Sequence, residues 1–475
     1  MSAGSGSVSG ANGDGTEPLI DPQVTERILA AALSKGGDFA EVFAEERYST
    51  GAVLDDGRVE ELASARDRGA GIRVVIGETT GFAHTADMSE SGLLKAAEAA
   101  AAVARDRGKS NVVPLDVQPG AKSKFQIVEK GRKIELLARA DEAARAVAGS
   151  VRQVSASYGD SHRRLLVATS DGLHVGDDQV RTRFAVTCVA IGDTGMQTGY
   201  ESVANTIGFE LFDDLDVEEL ARKAAHRAVR KLEARPAPSG QLPVVLARGS
   251  GGILFHEACG HGLEADHIVK DASAYNGRLG ELVASPLVTL VDDGTVGKEW
   301  GTFTIDDEGH SAQRNVLIED GVLVDYMWDE VRARKEGRRS SGNGRRQSYK
   351  HLPMVRMTNT FIMNGSDDPD AIVADTQSGV YVAKLGGGQV NTATGDFVFG
   401  TTEAYLIENG KITEPLRDSN LIGNGPEVLS RVDAVAGDFD MCPGTCGKDG
   451  QSVPVGCGQP TLRVSAITIG GTAGG

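Results

Sequence analysis

The chain reads as an α+β protein, with antiparallel strands flanked by helices in its N-terminal half and a mainly β C-terminal half. Two features predict this class. The pattern helix, strands, helix occurs twice before residue 235 without regular β-α-β alternation, which suits an antiparallel sheet with helices on it. After residue 243 the composition shifts to Gly doublets, short Val/Thr/Leu runs and turns such as Asp293-Gly294, Asp320-Gly321 and Asn409-Gly410, the signature of a barrel or sandwich.

The elements follow in order. Residues 1–19 are small, polar and Gly/Ser-rich, with neither a basic nor an apolar region, and are expected to be a disordered tail rather than a signal peptide. Asp21 is placed to cap a helix from Pro22 to Leu33. Strand-like runs follow at Phe39–Glu46, Gly51–Leu54, Val59–Ala65, Gly71–Ile76 and Gly81–Thr85, with Asp55-Asp56-Gly57-Arg58 as a hairpin turn. Ser89 caps an Ala-rich helix reaching about Arg105. The second unit has a helix at Lys133–Val147, strands at Val151–Tyr158, Leu165–Thr169 and Arg181–Ile191, and a helix at Val217–Leu232 capped by Asp216, with basic residues in its later turns as the helix dipole prefers. These define an N-terminal α+β domain over 20–235. Prolines 236, 238 and 243, interleaved with Ser and Gly, mark 236–243 as a linker, and 244–475 forms the β-rich C-terminal domain.

Composition narrows the function. A hydrophobic fraction of 40% and a charged fraction of 24% are those of a soluble globular protein. A net charge of -18 argues against a direct nucleic-acid surface. No apolar run is long enough to span a membrane. Five cysteines, an odd number in a long chain, do not form a secreted disulfide framework, so a reducing, cytoplasmic location is expected.

The chemistry concentrates in Phe255-His256-Glu257-Ala258-Cys259-Gly260-His261-Gly262-Leu263-Glu264-Ala265-Asp266-His267, which holds three of the nine histidines. Imidazoles are the usual nitrogen ligands of catalytic zinc, and a Glu beside the first His is placed to activate a water on the metal. The interval from His256 to His261 is five, not the four of H-E-x-x-H. On a regular helix a step of five rotates a side chain by roughly 140°, against about 40° for a step of four. Convergence therefore requires either a π-bulge or a helix that ends near Gly260, where Gly260 and Gly262 permit unusual dihedrals. A catalytic zinc site needs three protein ligands and one open position. Candidates for the third ligand are Glu264, Asp266, His267, Cys446, Cys442 and Cys457, with Cys446 favoured by its small neighbours and by the nearby Lys448 as partner for a thiolate. The bland alternative is a buried helix start without metal.

Several separated blocks, in order, resemble the TldD/PmbA metallopeptidase family: His256 to Asp266 with its H-E-x-x-x-H signature, Gly280–Ser285, Ile305–Gly309, Asn343–Arg346, Arg356–Thr360, Gly386–Val390 and Cys446–Gly456. The family pairs two kinds of subunit, and the intact His256, Glu257 and His261 make this chain resemble the catalytic TldD kind. The resemblance implies a zinc-dependent peptidase with one zinc per catalytic subunit, held by His256, His261 and Cys446, with Glu257 as general base. It implies extended peptides as substrates in an enclosed cavity, and a heterodimer with a PmbA/TldE-like subunit; a homodimer is the alternative partnership. A non-catalytic peptide-binding subunit with a structural metal is the alternative function. Arg345, Arg346, Gly387 and Gly388 are candidate substrate-binding residues, although seven cations against one acid between Arg332 and Arg346 also fit a solvated helix and loop. Asp306, Asp307 and Glu308 read as an exposed turn.

Overall fold

A computed structural model describes residues 18–104 and 110–471. The expected tail therefore lies outside the described residues except for Pro18 and Leu19, and so does the expected end of the second helix at Arg105. The chain is α+β, as its pattern predicts.

The N-terminal half is a seven-stranded sheet. Its spatial order is Thr79–Thr85, Arg58–Ile76, Phe39–Asp55, Val151–Thr169, Leu173–Gly192 and the short Asp116–Val117, with Gly195–Asn205 also paired to Leu173–Gly192. Asp21 accepts from the backbone N–H groups of Gln23 and Val24 at the start of Pro22–Ala32, and Ser89 and Asp216 cap Glu90–Ala101 and Val217–Leu232 in the same way. The strands run further than the local apolar runs: Phe39–Glu46 and Gly51–Leu54 are one strand of 17 residues. Val151–Tyr158 and Leu165–Thr169 likewise join into one of 19. Their polar middles are held by unbroken pairing from Glu41↔Thr169 to Asp55↔Ser155, which supplies what side-chain hydrophobicity does not.

Period two explains how this sheet meets the other half. Ala40, Val42 and Ala44 pack with Ile28, Leu29 and Leu93 of the helices on one face. Phe43, on the opposite face, packs with Val167, Ile305 and Tyr349. Glu41 and Glu45 share that second face, where they meet cations of both halves. Arg73 donates to Glu41 at 2.7 Å and to Glu308 at 2.9 Å, Arg163 reaches Asp307 at 2.8 Å, and Arg346 pairs with Glu41. Asp306, Asp307 and Glu308 are thus buried, not an exposed turn: arginines far away in sequence pair with Asp307 and Glu308, and backbone N–H groups of Glu308, His310 and Gly344 satisfy Asp306.

The C-terminal half holds two larger sheets. One has six strands in the order Val322–Leu323, Arg314–Glu319, Leu290–Asp293, Asn359–Ile362, Gln451–Gln459 and Asp440–Lys448. In the other, Ser378–Val390, Gly240–Leu246, Leu462–Gly471, Ser419–Asn424 and Asp396–Glu408 pair in succession. Asp396–Glu408 pairs back to Ser378–Val390, closing a five-stranded ring. Asn409-Gly410 turns Asp396–Glu408 into Lys411–Arg417 with Asn409 at φ 52° and Gly410 at φ 71°. The stretch expected as a linker is instead woven into this sheet. Arg235–Pro236 forms its edge, and Pro243 falls where the pairing of Gly240–Leu246 with Leu462–Gly471 shifts register, both positions at which a missing N–H is tolerated.

One ion pair at the seam gives a pH dependence. His310 Nε2 lies 2.6 Å from Glu330 Oε2. Burial opposes the charged imidazole, but Glu330 and Asp306 outweigh it and raise His310 to about 9. A folded value above the unfolded one of about 6.5 adds stability that is complete below 6.5 and is lost as pH rises through 9. We expect the melting temperature to fall between these limits by an amount equivalent to about 3 kcal/mol. Glu330→Gln should flatten that decline in a pH series of thermal melts; an unchanged slope would remove His310 as its source.

Candidate metal centre

His256 stands on the short helix Gly252–Ala258. A Cβ on Gly252 would come within 2.3 Å of the Gly458 backbone nitrogen, so only glycine lets the helix start seat directly on the strand Gln451–Gln459. The helix ends at Ala258, Cys259 leaves helical geometry at φ -123°, and Gly260–Leu263 forms a 3₁₀ turn. This break resolves the five-residue interval without a π-bulge: the rings of His256 and His261 lie 5.3 Å apart, nearly perpendicular. Gly260 and Gly262 do not adopt positive φ. Their role is close approach, since a Cβ on Gly260 would meet the Met357 sulfur at 2.2 Å.

Cys446 arrives from the edge strand Asp440–Lys448, and its sulfur is 3.4 Å from His261 Nε2. The donor atoms of His256, His261 and Cys446 lie within 4.8 Å of one another, and all three residues are buried. Ligands of a tetrahedral zinc with bonds of about 2.0–2.3 Å are separated by roughly 3.5 Å, so the His261–Cys446 spacing already suits a shared ion. Neither ring nitrogen of His256 makes a hydrogen bond, an unusual condition for a histidine only 1% exposed. A metal bond to one of them relieves it. The nitrogen, nitrogen and sulfur donors therefore fit a divalent zinc-like ion.

The electrostatics agree. Burial alone would raise the Cys446 thiol, but His256 and His261 outweigh it and hold it well below the usual thiol range, so sulfur is present as the thiolate that metals bind. His261 Nδ1 lies 2.9 Å from Glu264 Oε2. Despite complete burial, His261 and Lys448 hold Glu264 down at about 2. Glu264 thereby accepts a hydrogen bond from His261 Nδ1–H and leaves Nε2 facing Cys446. Lys448 Nζ donates to Glu264 at 2.9 Å and to Asp266 at 2.8 Å. Glu264, Asp266 and His267 form a second metal-capable group, but the lysine ammonium already serves its two carboxylates. Of the candidate third ligands, only Cys446 joins the two histidines in one donor group. Lys448 supports that group through Glu264 rather than through the thiolate. Cys457 contributes to the field at His256 from the neighbouring strand, and Cys442 is paired across from it.

Glu257 follows His256 on the helix and places Oε2 3.6 Å from His261 Nε2, with its side chain 28% exposed. It is partly exposed, whereas Glu264, the other carboxylate on His261, is fully buried. Arg345 and Arg346 are buried and line a cavity of about 220 Å³, so the solvated reading fails for both. Arg345 donates to Met357 O at 2.5 Å and Pro454 O at 2.7 Å; Arg346 pairs with Glu41 and stacks over Phe43. Gly387 and Gly388 lie on Ser378–Val390, where the pairing with Asp396–Glu408 shifts register. The sequence reading missed the holding role of Glu264, whose only local signal is its position three residues after His261. It also missed Arg163 and Arg181, which share a face only through the register of two long strands.

Comparison with known proteins supports the same chemistry. Sequence models of the PmbA/TldA metallopeptidase domain 1, central domain and C-terminal domain match residues 40–104, 123–232 and 239–471. The metalloprotease TldD homolog of Haemophilus influenzae is 41% identical over 96% of this chain and 98% of its own. The zinc metalloprotease TldD homolog of Saccharolobus solfataricus is 26% identical over 94% of this chain and 99% of its own. The crystal structure of TldE from Thermococcus kodakarensis shares the fold with a TM-score of 0.75 at 20% identity, covering 94% of this chain and 100% of that one. With all three domains matched in order and near-complete coverage of a relative at this identity, the chain belongs to the PmbA/TldA metallopeptidase family.

Proposed function

We propose that this chain is the catalytic subunit of a zinc-dependent peptidase that hydrolyses extended peptides. The observation that carries the reading is the buried His256/His261/Cys446 donor group with Glu257 at its open side. A structural zinc is normally closed by four protein ligands and has no use for a free carboxylate beside it. His256, His261 and Cys446 would hold the ion, and the zinc in the name of the Saccharolobus relative agrees with these donors. When bound, the ion supplies Lewis acidity toward the scissile carbonyl and toward water. Glu257 accepts the proton of the attacking water on a carboxylate oxygen and returns it to the leaving amine as the C–N bond breaks. Glu264 keeps His261 in one tautomer, and Lys448 keeps Glu264 ionised.

The peptide is bound as a strand. Cys446 lies on the edge strand of the six-stranded sheet, and an added strand would run its backbone past the donor group with little demand on its side chains. Gly387 has no atom within 4 Å of where a Cβ would sit, so its backbone is open to close approach, with Gly388 beside it. Arg345 and Arg346 wall the substrate space. In this reading 244–475 carries the chemistry, 20–235 closes the cavity from the other side, and a PmbA/TldE-like partner completes it in a heterodimer. Among the described residues no helix is long and apolar enough to cross a membrane, in keeping with work in the cytoplasm.

The test is hydrolysis of an unstructured decapeptide by the chain with its partner subunit, followed by mass spectrometry of the products. Chelation should abolish cleavage and added zinc should restore it. Cleavage at an unchanged rate after the metal has been removed overturns the reading.

A further inference from the structure

The cavity of about 220 Å³ lies between the two halves of the molecule, and five arginines face it. Arg47, Arg163 and Arg181 come from three adjacent strands of the N-terminal sheet. Arg47 is directly opposite Arg163, and Arg181 is opposite Ser161, two residues along. Like charges placed opposite one another weaken a sheet, so this arrangement costs stability unless something offsets it. Arg345 and Arg346 close the cavity from the C-terminal half.

The carboxylates nearby do not balance these cations. Asp307 is committed to Arg163 and to the Arg346 backbone N–H, and Asp306 to the backbone N–H groups of Glu308, His310 and Gly344. Glu45 is shared by Arg47 and Arg163, and Glu41 serves Arg346 and Arg73. Arg181 donates only to uncharged oxygens: Gln179 Oε1 at 2.7 Å, Thr302 O at 3.1 Å and Trp300 O at 3.3 Å. Arg345 likewise donates only to carbonyls. Among the described residues, neither has a carboxylate within ion-pair distance, although Arg181 is 8% and Arg345 4% exposed. Arg163 Nη2 is buried without any partner. Burial, with repulsion from Arg345, Arg163 and Arg47, pushes Arg181 down to about 9, far below any ordinary guanidinium. A buried cation left unpaired is strongly unfavourable, and a planar guanidinium fork is suited to an oxyanion.

We propose that this cavity is an anion-binding subsite that takes a carboxylate of the bound peptide, with Arg181 and Arg345 as its principal donors. That the carboxylate belongs to a peptide rests on the peptidase reading; that the subsite takes an oxyanion rests on the arginines alone. Its position suits the role. Thr445 and Val453 line it, Thr445 is bonded to Cys446, and Val453 pairs across from Cys446, so the subsite begins one residue from the candidate metal ligand. The volume is below the roughly 300–1,000 Å³ of a drug-sized pocket, yet it holds a carboxylate and one side chain. Trp300, Phe303 and Ile305 supply an apolar wall for that side chain.

The test is equilibrium binding to the full-length, metal-loaded Glu257→Gln protein, read by polarisation of an N-terminally labelled extended peptide. Three forms are compared: a neutral peptide with a free C-terminal carboxylate, the same peptide amidated, and an amidated peptide ending in Glu. We expect a carboxylate-bearing form to bind at least about tenfold more tightly than the neutral amide. Preference for the free C-terminus assigns the subsite to the peptide terminus, and preference for the Glu peptide assigns it to an acidic side chain. Arg181→Gln should reduce the preference below about threefold while leaving metal content and affinity for the neutral amide unchanged. The comparison of acid with amide needs no substitution in the cavity, so it stands even if Arg181→Gln does not fold. Arg345→Lys, which keeps the charge but loses the fork, should give an intermediate preference. Equal affinity for all three peptides, or no binding of any, overturns the proposal. Carboxylate preference in a protein that never cleaves a peptide would instead remove the peptidase reading and leave the subsite standing.

Discussion

Cys446→Ala is expected to purify with far less than one metal ion per chain, while Cys457→Ala keeps its full complement. Of the cysteines close to the histidines, only Cys446 has its sulfur in one donor group with both His256 and His261. Losing a residue that merely orients a ligand typically weakens metal binding by about 10–100-fold, and losing one of three ligands should exceed that range. Glu264→Gln supplies the internal comparison. It removes the negative charge from the acceptor of the His261 Nδ1–H without removing a donor to the ion, so its affinity should fall by about 10–100-fold. The measurement is metal content by mass spectrometry after dialysis, with affinities from chelator competition and with folding checked by circular dichroism. Metal retained by Cys446→Ala, or lost from Cys457→Ala, would transfer the ligand role to another sulfur.

What the sequence disclosed and what it hid have physical causes. Caps and tight turns were legible because their chemistry is local. Asp21, Ser89 and Asp216 each satisfy an N–H two or three residues away, and Asn409-Gly410 needs only its own left-handed dihedrals. Strand length was not legible. Thr50 and Asp160 lie in a polar stretch that no hydrophobicity pattern marks, and they remain in strands because two long neighbours pair through them. Asp307 and Glu308 look like surface acids until Arg163 and Arg73 are folded against them, and nothing near residue 307 announces those partners. The metal centre shows the same division. His256 and His261 stand out because they share one short segment, and the irregularity joining them was foreseeable from the rotation argument. Cys446 comes from 185 positions beyond His261, and its spatial place among three C-terminal cysteines is decided by strand register, which the local sequence does not express.

Glu257→Gln should then separate binding of the ion from chemistry. The amide has nearly the shape of the carboxylate, and Glu257 is partly exposed, with only a long 3.6 Å contact to His261 Nε2 to weaken. Metal content and thermal stability should therefore match the unsubstituted chain. The amide nitrogen and oxygen cannot accept the proton of water at neutral pH, however, and a positioned general base contributes about 10²–10⁴-fold to rate. We expect kcat for peptide hydrolysis to fall by about 10³-fold or more with KM little changed, since the base acts in the transition state and not in holding the ground-state peptide. Glu257→Asp, which keeps the base but withdraws it by one methylene, should fall between the two, because a misplacement of about 1 Å costs on the order of 10²-fold. A Glu257→Gln protein that holds its metal and cleaves at the unsubstituted rate would leave the water without an activating group in this segment. The proton would then have to be taken by another residue, and the open side of the His256/His261/Cys446 group would lose its catalytic meaning.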